Sequence, residues 1–400
     1  MSKLVLRGYA QPILGTDPEA FVSRNGKIIG SEKIMPEGGV IYRHGITVLN
    51  ANESGENKVI MDGVQVELNP MPSYCREVLS ANIQTCMLNL ASRLKEKKYI
   101  DVKPDFSVLI EVDKDEFDSL SGECKRFGCM PSYNAYGEPK VANNVDPMEY
   151  RLRCAGGHIH LGVWNNDNGH PTKVSLKDVL TKNQDELIQL MDVIVGNTCV
   201  LLDRDPGNIE RRKIYGRAGE YRKPKHGIEY RTLSNFWLRS YPLMSFATGM
   251  ARFAVNIMAN GDKHYKAIMS KVNTDDIRKA INENDFELAY KNFSKIEDIL
   301  LEMAGDTMGN GNGDYAQFPL NIDNIEMFKY LVKVGIDKYF PKDKVMEHWQ
   351  NRGGGYGWEK FLNITIKNEI YPPKEIENGK IYIGGSGGGG GVNGISGSNG

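Results

Sequence analysis

The chain has 400 residues, with 50 Lys and Arg set against 51 Asp and Glu, and 40% of its residues are hydrophobic. That balance fits a folded globular protein and gives no reason to expect a nucleic acid or an acidic membrane as partner. No run approaches the roughly 20 apolar residues of a membrane span, the N-terminus lacks the apolar core of a secretory signal, and the six Cys include no Cys-x-x-Cys pair, which points to reduced thiols in a cytoplasm.

Residues 1–70 read as β-rich. Phe21-Val22, Asn25-Gly26 and Lys27-Ile28-Ile29 form one hairpin signature. Val59-Ile60-Met61, Asp62-Gly63 and Val64-Gln65-Val66-Glu67 form a second, in which Asp62 reads as a turn residue. Along that last strand Gln65 and Glu67 alternate with apolar residues, so the polar pair shares a face, and Pro70 ends it. Pro18, between Asp17 and Glu19, marks the edge or start of a strand. Leu79, Ile83, Met87, Leu90 and Leu94 predict a helix within 75–98, and 104–112 reads as another strand.

Residues 123–147 are rich in Gly, Pro, Asn and Tyr and predict a long loop, of the kind that carries function. A strand with His158 and His160 follows. The apolar spacing of Leu187, Leu190, Met191, Ile194 and Val195 predicts one long helix over 174–202. A basic segment and a strand with Glu229 come next, and 240–368 reads as mostly helical, including 275–284, 286–303 and 324–338. The tail at 384–400 is nearly all Gly, Ser and Asn. It has too little apolar surface to offset ordering entropy, which predicts disorder. The expected organisation is a single domain over 1–370, with its sheet and motifs in 10–240, a short connector at 371–383 and the tail.

Gly156-Gly157-His158-Ile159-His160-Leu161-Gly162 is the most informative stretch. Strand side chains alternate, so both imidazoles point the same way. Asp17 with Glu19, Gln65 with Glu67, and Glu229 with Arg231 repeat that two-residue spacing. Taken singly, such pairs are commonly core histidines, solvated acidic faces or simple ion pairs. Four strands with the same spacing can instead build a carboxylate–imidazole metal site floored by a sheet and rimmed with Arg. Those donors suit Mg²⁺ or Mn²⁺, and the two glycines before His158 allow a ligand close to the backbone.

Arg204, Arg211, Arg212, Arg217, Arg222 and Arg231 cluster nearby. An Arg fork matches phosphate and carboxylate oxygens. Arg211 and Arg212 read as solvated surface charges, whereas Arg217 and Arg222 sit among Gly and Tyr as if placed to reach a ligand. No glycine-rich phosphate loop or nucleophile elbow is present, so a nucleotide would be held by metal and Arg.

In their order along the chain, these motifs resemble the glutamine synthetase superfamily. Gly15-Thr16-Asp17-Pro18-Glu19-Ala20-Phe21 resembles its first acidic motif, Gln65-Val66-Glu67 its Gln-x-Glu strand, Gly157-His158-Ile159-His160 its His-x-His motif, and Ile228-Glu229-Tyr230-Arg231 its late Glu-x-Arg motif. Together with Arg-x-Ala-Gly-Gly-His-Ile-His and Gly-Ile-Glu-Tyr-Arg-Thr-Leu-Ser-Asn-Phe-Trp, the pattern is most similar to the phage-encoded carboxylate–amine ligases of that superfamily, over roughly residues 10–240. Asp17 stands where glutamine synthetase has Glu, and nothing upstream of the Gln65–Glu67 strand clearly matches that enzyme's additional metal Glu.

The resemblance implies an α+β, glutamine synthetase-like catalytic domain with a curved, mostly antiparallel sheet backed by helices. It implies an ATP-dependent ligase that forms an amide through an acyl phosphate, in a host cytoplasm if phage-encoded. Asp17, Glu19, Glu67, His158 and Glu229 would hold two or more Mg²⁺ or Mn²⁺ ions, His160 would approach ATP phosphate, and Arg231, Arg217 and Arg222 would stabilise the phosphoryl group or the substrate carboxylate. The 123–147 loop is the candidate lid. Amino acid, peptide, cell-wall fragment and protein side chain stay open as substrates. The alternatives are a guanidino-kinase-like phosphotransferase, a metal hydrolase, and a non-catalytic phage interaction protein.

Overall fold

Two antiparallel sheets meet where Pro18 interrupts the chain. The computed structural model describes residues 4, 6, 9–36, 39–41, 57–127, 132–138, 146–163, 169–170, 172–305 and 322–351. In the first sheet five strands lie in the order Tyr133–Asn134, Glu220–Arg222, Gly227–Tyr230, Ile159–Gly162, Ile13–Thr16. In the second, Lys27–Ile29, Glu19–Arg24, Gln65–Asn69, Lys58–Asp62 and Val40–Ile41 follow one another. Val102–Asp105 also pairs with Glu19–Arg24.

Ile13–Thr16 runs through Asp17-Pro18 directly into Glu19–Arg24, so one piece of chain serves both sheets. Proline has no N–H, so it cannot prolong the ladder in which Thr16 faces Ile159. The sheets stay stitched there by other bonds: Leu68 N donates to Pro18 O (2.9 Å) and Glu19 N to Gly156 O (3.0 Å). The single curved sheet expected from the sequence is therefore two ladders joined at Asp17-Pro18, and the class is α+β.

The Asn25-Gly26 hairpin forms as expected, with φ of 51° and 76° at the two turn residues, the left-handed pair that matches strand twist. The second hairpin is displaced by one residue. Its two-residue turn is Gly63-Val64, with Gly63 at φ 59°, and Asp62 pairs with Gln65 in the ladder. A glycine in the first turn position suits a type II′ turn. The displacement takes Asp62 off the turn tip and puts it on the polar face shared by Gln65 and Glu67.

Helices cover the apolar back of the first sheet. Tyr241–Ala259, capped by Ser240 and begun by Pro242, is buried on nearly every side and packs against Arg76–Leu94 and Gln184–Met191. The long helix expected over 174–202 is broken into Leu176–Thr181, Gln184–Met191, a π-helical turn at Asp192–Gly196, and Asn197–Val200. The wide turn presents buried Asp192 to the sheet, where it accepts from Tyr230 Oη (2.8 Å) and Tyr136 Oη (3.1 Å). Burial pushes its pKa up to about 7, and those hydroxyls restrain the rise.

The strand expected at 104–112 is two, Val102–Asp105 and Leu109–Glu111, the latter paired with Leu152–Cys154. Thr274–Asn282, Phe286–Gly305 and Ile322–Val334 are helices near their expected places. The 123–147 segment is not purely loop, since it shares the Gly122–Lys125 helix and contributes the Tyr133–Asn134 edge strand. Buried Arg153 ties the two ends of that segment by donating to Lys125 O (2.8 Å) and Pro147 O (3.1 Å). The connector at 371–383, the tail at 384–400 and helical residues beyond 351 lie outside the described residues. Among the described residues no helix is long and apolar enough to cross a membrane.

Gly157 carries the chain across the Ser234–Arg239 turn. Its N donates to Leu233 O (3.1 Å) and its O accepts from Trp237 Nε1 (2.9 Å), and a Cβ there would lie 2.4 Å from Ser234 O and 2.5 Å from Trp237 Nε1. Neither neighbour can yield easily. Gly157→Ala is expected to destabilise the fold by about 2–3 kcal/mol, read as a lower urea midpoint with an unchanged slope.

Candidate metal centre and its arginine rim

The register of the first sheet decides which side chains meet. Ile159 and Leu161 are fully buried against the helices, so His158 and His160 face the other way. His160 lies opposite both Gly15 and Glu229, and Arg222 opposite Glu229. Asp17, just past the end of the ladder, falls on the same face. His160 Nε2 is 3.2 Å from Asp17 Oδ2, while His158 Nδ1 is 3.2 Å from Asp17 Oδ1 and 3.6 Å from Glu229 Oε1. Donor atoms of Asp17, His160 and Glu229 all lie within 4.8 Å of one another.

The second sheet supplies a second group. Glu19 and Glu67 are direct cross-strand partners, and Asp62 is diagonal to Glu67 on the same face. One oxygen from each of these three lies within 4.8 Å of the others. Like charges placed opposite each other in a sheet repel. Burial and then the Asp62 charge push Glu19 up to about 8, and burial and then Asp17, Asp62 and Glu19 push Glu67 up to about 9. Burial and the Asp17 charge raise Asp62, and its hydrogen bond with Glu19 restrains the rise. At Asp17 burial opposes ionisation, but the two imidazoles outweigh it and hold the carboxyl well below its usual range. Burial lowers His158, whereas at His160 the Asp17 charge overcomes burial and raises it.

A divalent cation fits both groups. Among the described residues His158 Nε2 is buried without a hydrogen-bond partner, an expensive condition unless something else binds it, while its Nδ1 and Asp17 Oδ1 face each other at 3.2 Å. Three carboxylates suit a hard oxygen-seeking ion, and the mixed carboxylate–imidazole set suits Mn²⁺ as well as Mg²⁺. Of the five residues expected at a shared metal site, Asp17, Glu19, Glu67 and Glu229 fall in these two groups, and His158 lies beside the first. His160, which the resemblance directs to phosphate, is among the converging donors too.

Glu19 Oε2 accepts from Gly156 N (2.6 Å) and Tyr215 Oη (3.2 Å). A Cβ on Gly156 would lie 2.6 Å from His158 Nε2 and 2.9 Å from Tyr215 Oη. The glycine therefore makes room for the protein's own side chains, where the sequence reading expected room for a ligand.

The arginines divide into two sets. Arg231 is buried, with Nε 3.1 Å from Glu229 Oε1, and it donates to Ser132 Oγ. Arg222 Nη1 donates to the same Glu229 oxygen at 3.3 Å. Arg217 instead spends its Nε on Arg212 O, 2.8 Å away. Arg211 and Arg212 are not the solvated charges expected from the sequence. Both are buried, and Arg211 donates to the carbonyls of Arg231 (3.1 Å), Thr232 (3.0 Å) and Leu233 (2.8 Å). A strand end with buried carbonyls needs such donors. Arg212 donates to Asn284 Oδ1 at 2.9 Å.

Sequence reasoning missed Asp62 by assigning it to the turn. It missed Tyr215, Ser132 and His226, whose Nε2 lies 3.2 Å from His160 Nδ1. These three reach the site from outside the paired motifs, and spacing gives no signal for them.

Residues 133–309 match the family model of the phage phiEco32-like COOH.NH2 ligases of type 2. The matched span contains His158, His160, Arg222, Glu229 and Arg231, and begins after Asp17, Glu19, Asp62 and Glu67. No curated protein matches the chain. The motif resemblance is thereby supported over this span, and the match supports a carboxylate–amine ligase.

Two outcomes follow from the geometry. A carboxyl whose pKa is raised by folding stabilises the fold while protonated. That contribution is complete below the ordinary value of 4.5 and is lost as pH climbs through about 8 for Glu19 and about 9 for Glu67. His158 and His226 are shifted downward, so they act oppositely, near the imidazole's ordinary 6.5. Between about pH 7 and 9.5 the cation-free protein is expected to lose melting temperature, Glu67→Gln to lose less, and saturating Mg²⁺ to flatten the profile. Separately, Asp62→Asn is expected to remove or weaken at least about tenfold one of two Mn²⁺ equivalents counted by titration. Unchanged stoichiometry and affinity would exclude Asp62 from the site.

Proposed function

We propose that this chain, whose residues 133–309 match the phage phiEco32-like COOH.NH2 ligases of type 2, joins a carboxylate to an amine with ATP and divalent cations. The carrying observation is the convergence of Asp17, His158, His160 and Glu229 with Glu19, Asp62 and Glu67 on one floor, with Arg231 against Glu229. The ordered motifs also support a glutamine synthetase-like catalytic layout.

In this reading Glu19, Asp62 and Glu67 hold one cation, and Asp17, His160 and Glu229, with His158 beside them, hold another. Such cations supply charge neutralisation at the phosphates. A substrate carboxylate oxygen attacks the terminal phosphorus, the bond to ADP breaks, and an acyl phosphate forms. The amine then attacks the acyl carbon, phosphate leaves, and the amine proton passes to a base.

The chain's own contribution is positional and electrostatic. Arg231 is held by Glu229 and Ser132 and presents a fixed cationic fork, the geometry that recognises phosphoryl or carboxylate oxygens. Arg222 adds a second, half-exposed cation beside it. The 132–138 segment lies along this edge of the floor and can help exclude water from an acyl phosphate, which hydrolyses readily.

The deciding experiment is ATP turnover against pooled carboxylates and amines, with mass spectrometry for a condensation product. ADP and phosphate are expected only when both substrate classes are present, with Arg231→Ala slower by on the order of 1,000-fold. A phosphorylated product that persists without amine points to a kinase, and turnover without ATP to a hydrolase. Either result overturns the ligase.

A further inference from the structure

Tyr215 is the one side chain among the described residues seen to touch both donor groups and the arginine rim. It follows the Gly207–Ile214 helix, and its ring and hydroxyl are buried. The hydroxyl donates to Glu19 Oε2 at 3.2 Å, on the carboxylate group. The ring meets His158 edge-on, with centroids 5.9 Å apart, on the imidazole group. Arg231 lies 5.2 Å from the ring centroid and Arg211 4.6 Å from it. Gly156 keeps the space open for this contact, since a Cβ there would lie 2.9 Å from the hydroxyl.

We propose that Tyr215 is a positioning residue that links the two cation positions. It sets the Glu19 carboxylate through its hydroxyl, and His158 and Arg231 through its ring. The inference rests on the two-cation reading above. Glu19 Oε2 is taken by Tyr215 and Gly156 N, which fixes the carboxyl where an oxygen of it lies within 4.8 Å of oxygens of Asp62 and Glu67. Cutting this tether frees the Glu19 carboxyl to rotate out of the position that faces Asp62 and Glu67. The ring acts separately. It packs edge-on beside His158 and backs the imidazole whose Nδ1 faces Asp17 Oδ1 at 3.2 Å and Glu229 Oε1 at 3.6 Å.

The two roles come apart by substitution. Tyr215→Phe removes the hydroxyl and keeps the ring, whereas Tyr215→Leu removes both. Mn²⁺ binding is measured by electron paramagnetic resonance and calorimetry on the full chain, without substrates. Wild type is expected to bind Mn²⁺ in two classes, and Glu67→Gln identifies by its loss the class belonging to Glu19. Tyr215→Phe is expected to weaken that class about 10- to 100-fold, the usual effect of removing a residue that orients a ligand. The other class should stay within about twofold of wild type, judged against that same range. Tyr215→Leu is expected to weaken both classes. Added to Glu67→Gln, Tyr215→Phe should change nothing further.

Wild-type affinities for both classes in Tyr215→Phe would overturn the proposal and leave the two-cation reading standing. Equal weakening of both classes in Tyr215→Phe, in step with a lower melting temperature, would also overturn it, because that is what loss of packing alone gives. Absence of Mn²⁺ binding in wild type would overturn both readings.

Discussion

Asp17, Glu19, Asp62 and Glu67 stand too close together for all four to ionise without a cation, which is why Glu19 and Glu67 keep their protons to about pH 8 and 9, and the architecture around them works to hold them on one floor. Two like charges about 4 Å apart oppose each other by about 4 kcal/mol at the effective dielectric of a protein surface. Unaided side chains would rotate apart. The two ladders fix the backbone so that Glu19 and Glu67 remain opposite. Gly156 N and Tyr215 pin one oxygen of Glu19, and the two imidazoles steady Asp17. Much of the local structure is explained by that constraint: the proline step between the sheets, the displaced turn and the glycine beneath the His158 ring.

The back of the first sheet has the opposite chemistry. Ile159, Leu161, Ile228 and Tyr230 are buried against helices. A buried carboxylate there, Asp192, reaches the sheet through a π-helical turn and is met by the hydroxyls of Tyr230 and Tyr136. Tyr230 lies between Glu229 and Arg231 in sequence, and Tyr136 belongs to the segment that carries Ser132 to Arg231. The buried network thus fixes from behind the two residues whose neighbours line the front. A layer that only filled space would need no such hydroxyls.

How much of this was legible in the sequence depended on which physical signal each feature leaves. Strand alternation placed Gln65 and Glu67 on one face and His158 and His160 on another, because a period of two does not depend on what packs nearby. The Asn25-Gly26 turn was legible for the same local reason. Asp62 was not, because Asp-Gly is also a good turn pair, and only tertiary register distinguishes Asp62 at the strand end from Asp62 at the tip. The 174–202 helix looked unbroken because its apolar spacing survives a single wide turn. Arg211 and Arg212 looked solvated because charge alone does not reveal three carbonyls waiting at a strand end.

The site is also assembled from distant pieces of chain. Glu19 is bonded to Gly156 N across 137 residues and to Tyr215 across 196. The family match begins at residue 133, so it contains the histidines, Glu229 and Arg231 but none of the three carboxylates contributed by the second sheet. Neither half alone can bind cations as a pair of groups. The histidine group has only Glu229 as a carboxylate donor once Asp17 is taken away, and the carboxylate group, without a cation, keeps Glu19 and Glu67 protonated to about pH 8 and 9. Bringing them together closes a long loop, and the entropy lost grows only slowly with its length. The harder part is electrostatic, since the second sheet must deliver Glu19, Asp62 and Glu67 already crowded together. A cation bound there would offset that penalty and favour the joined sheets, and its binding would then be coupled to folding of the floor.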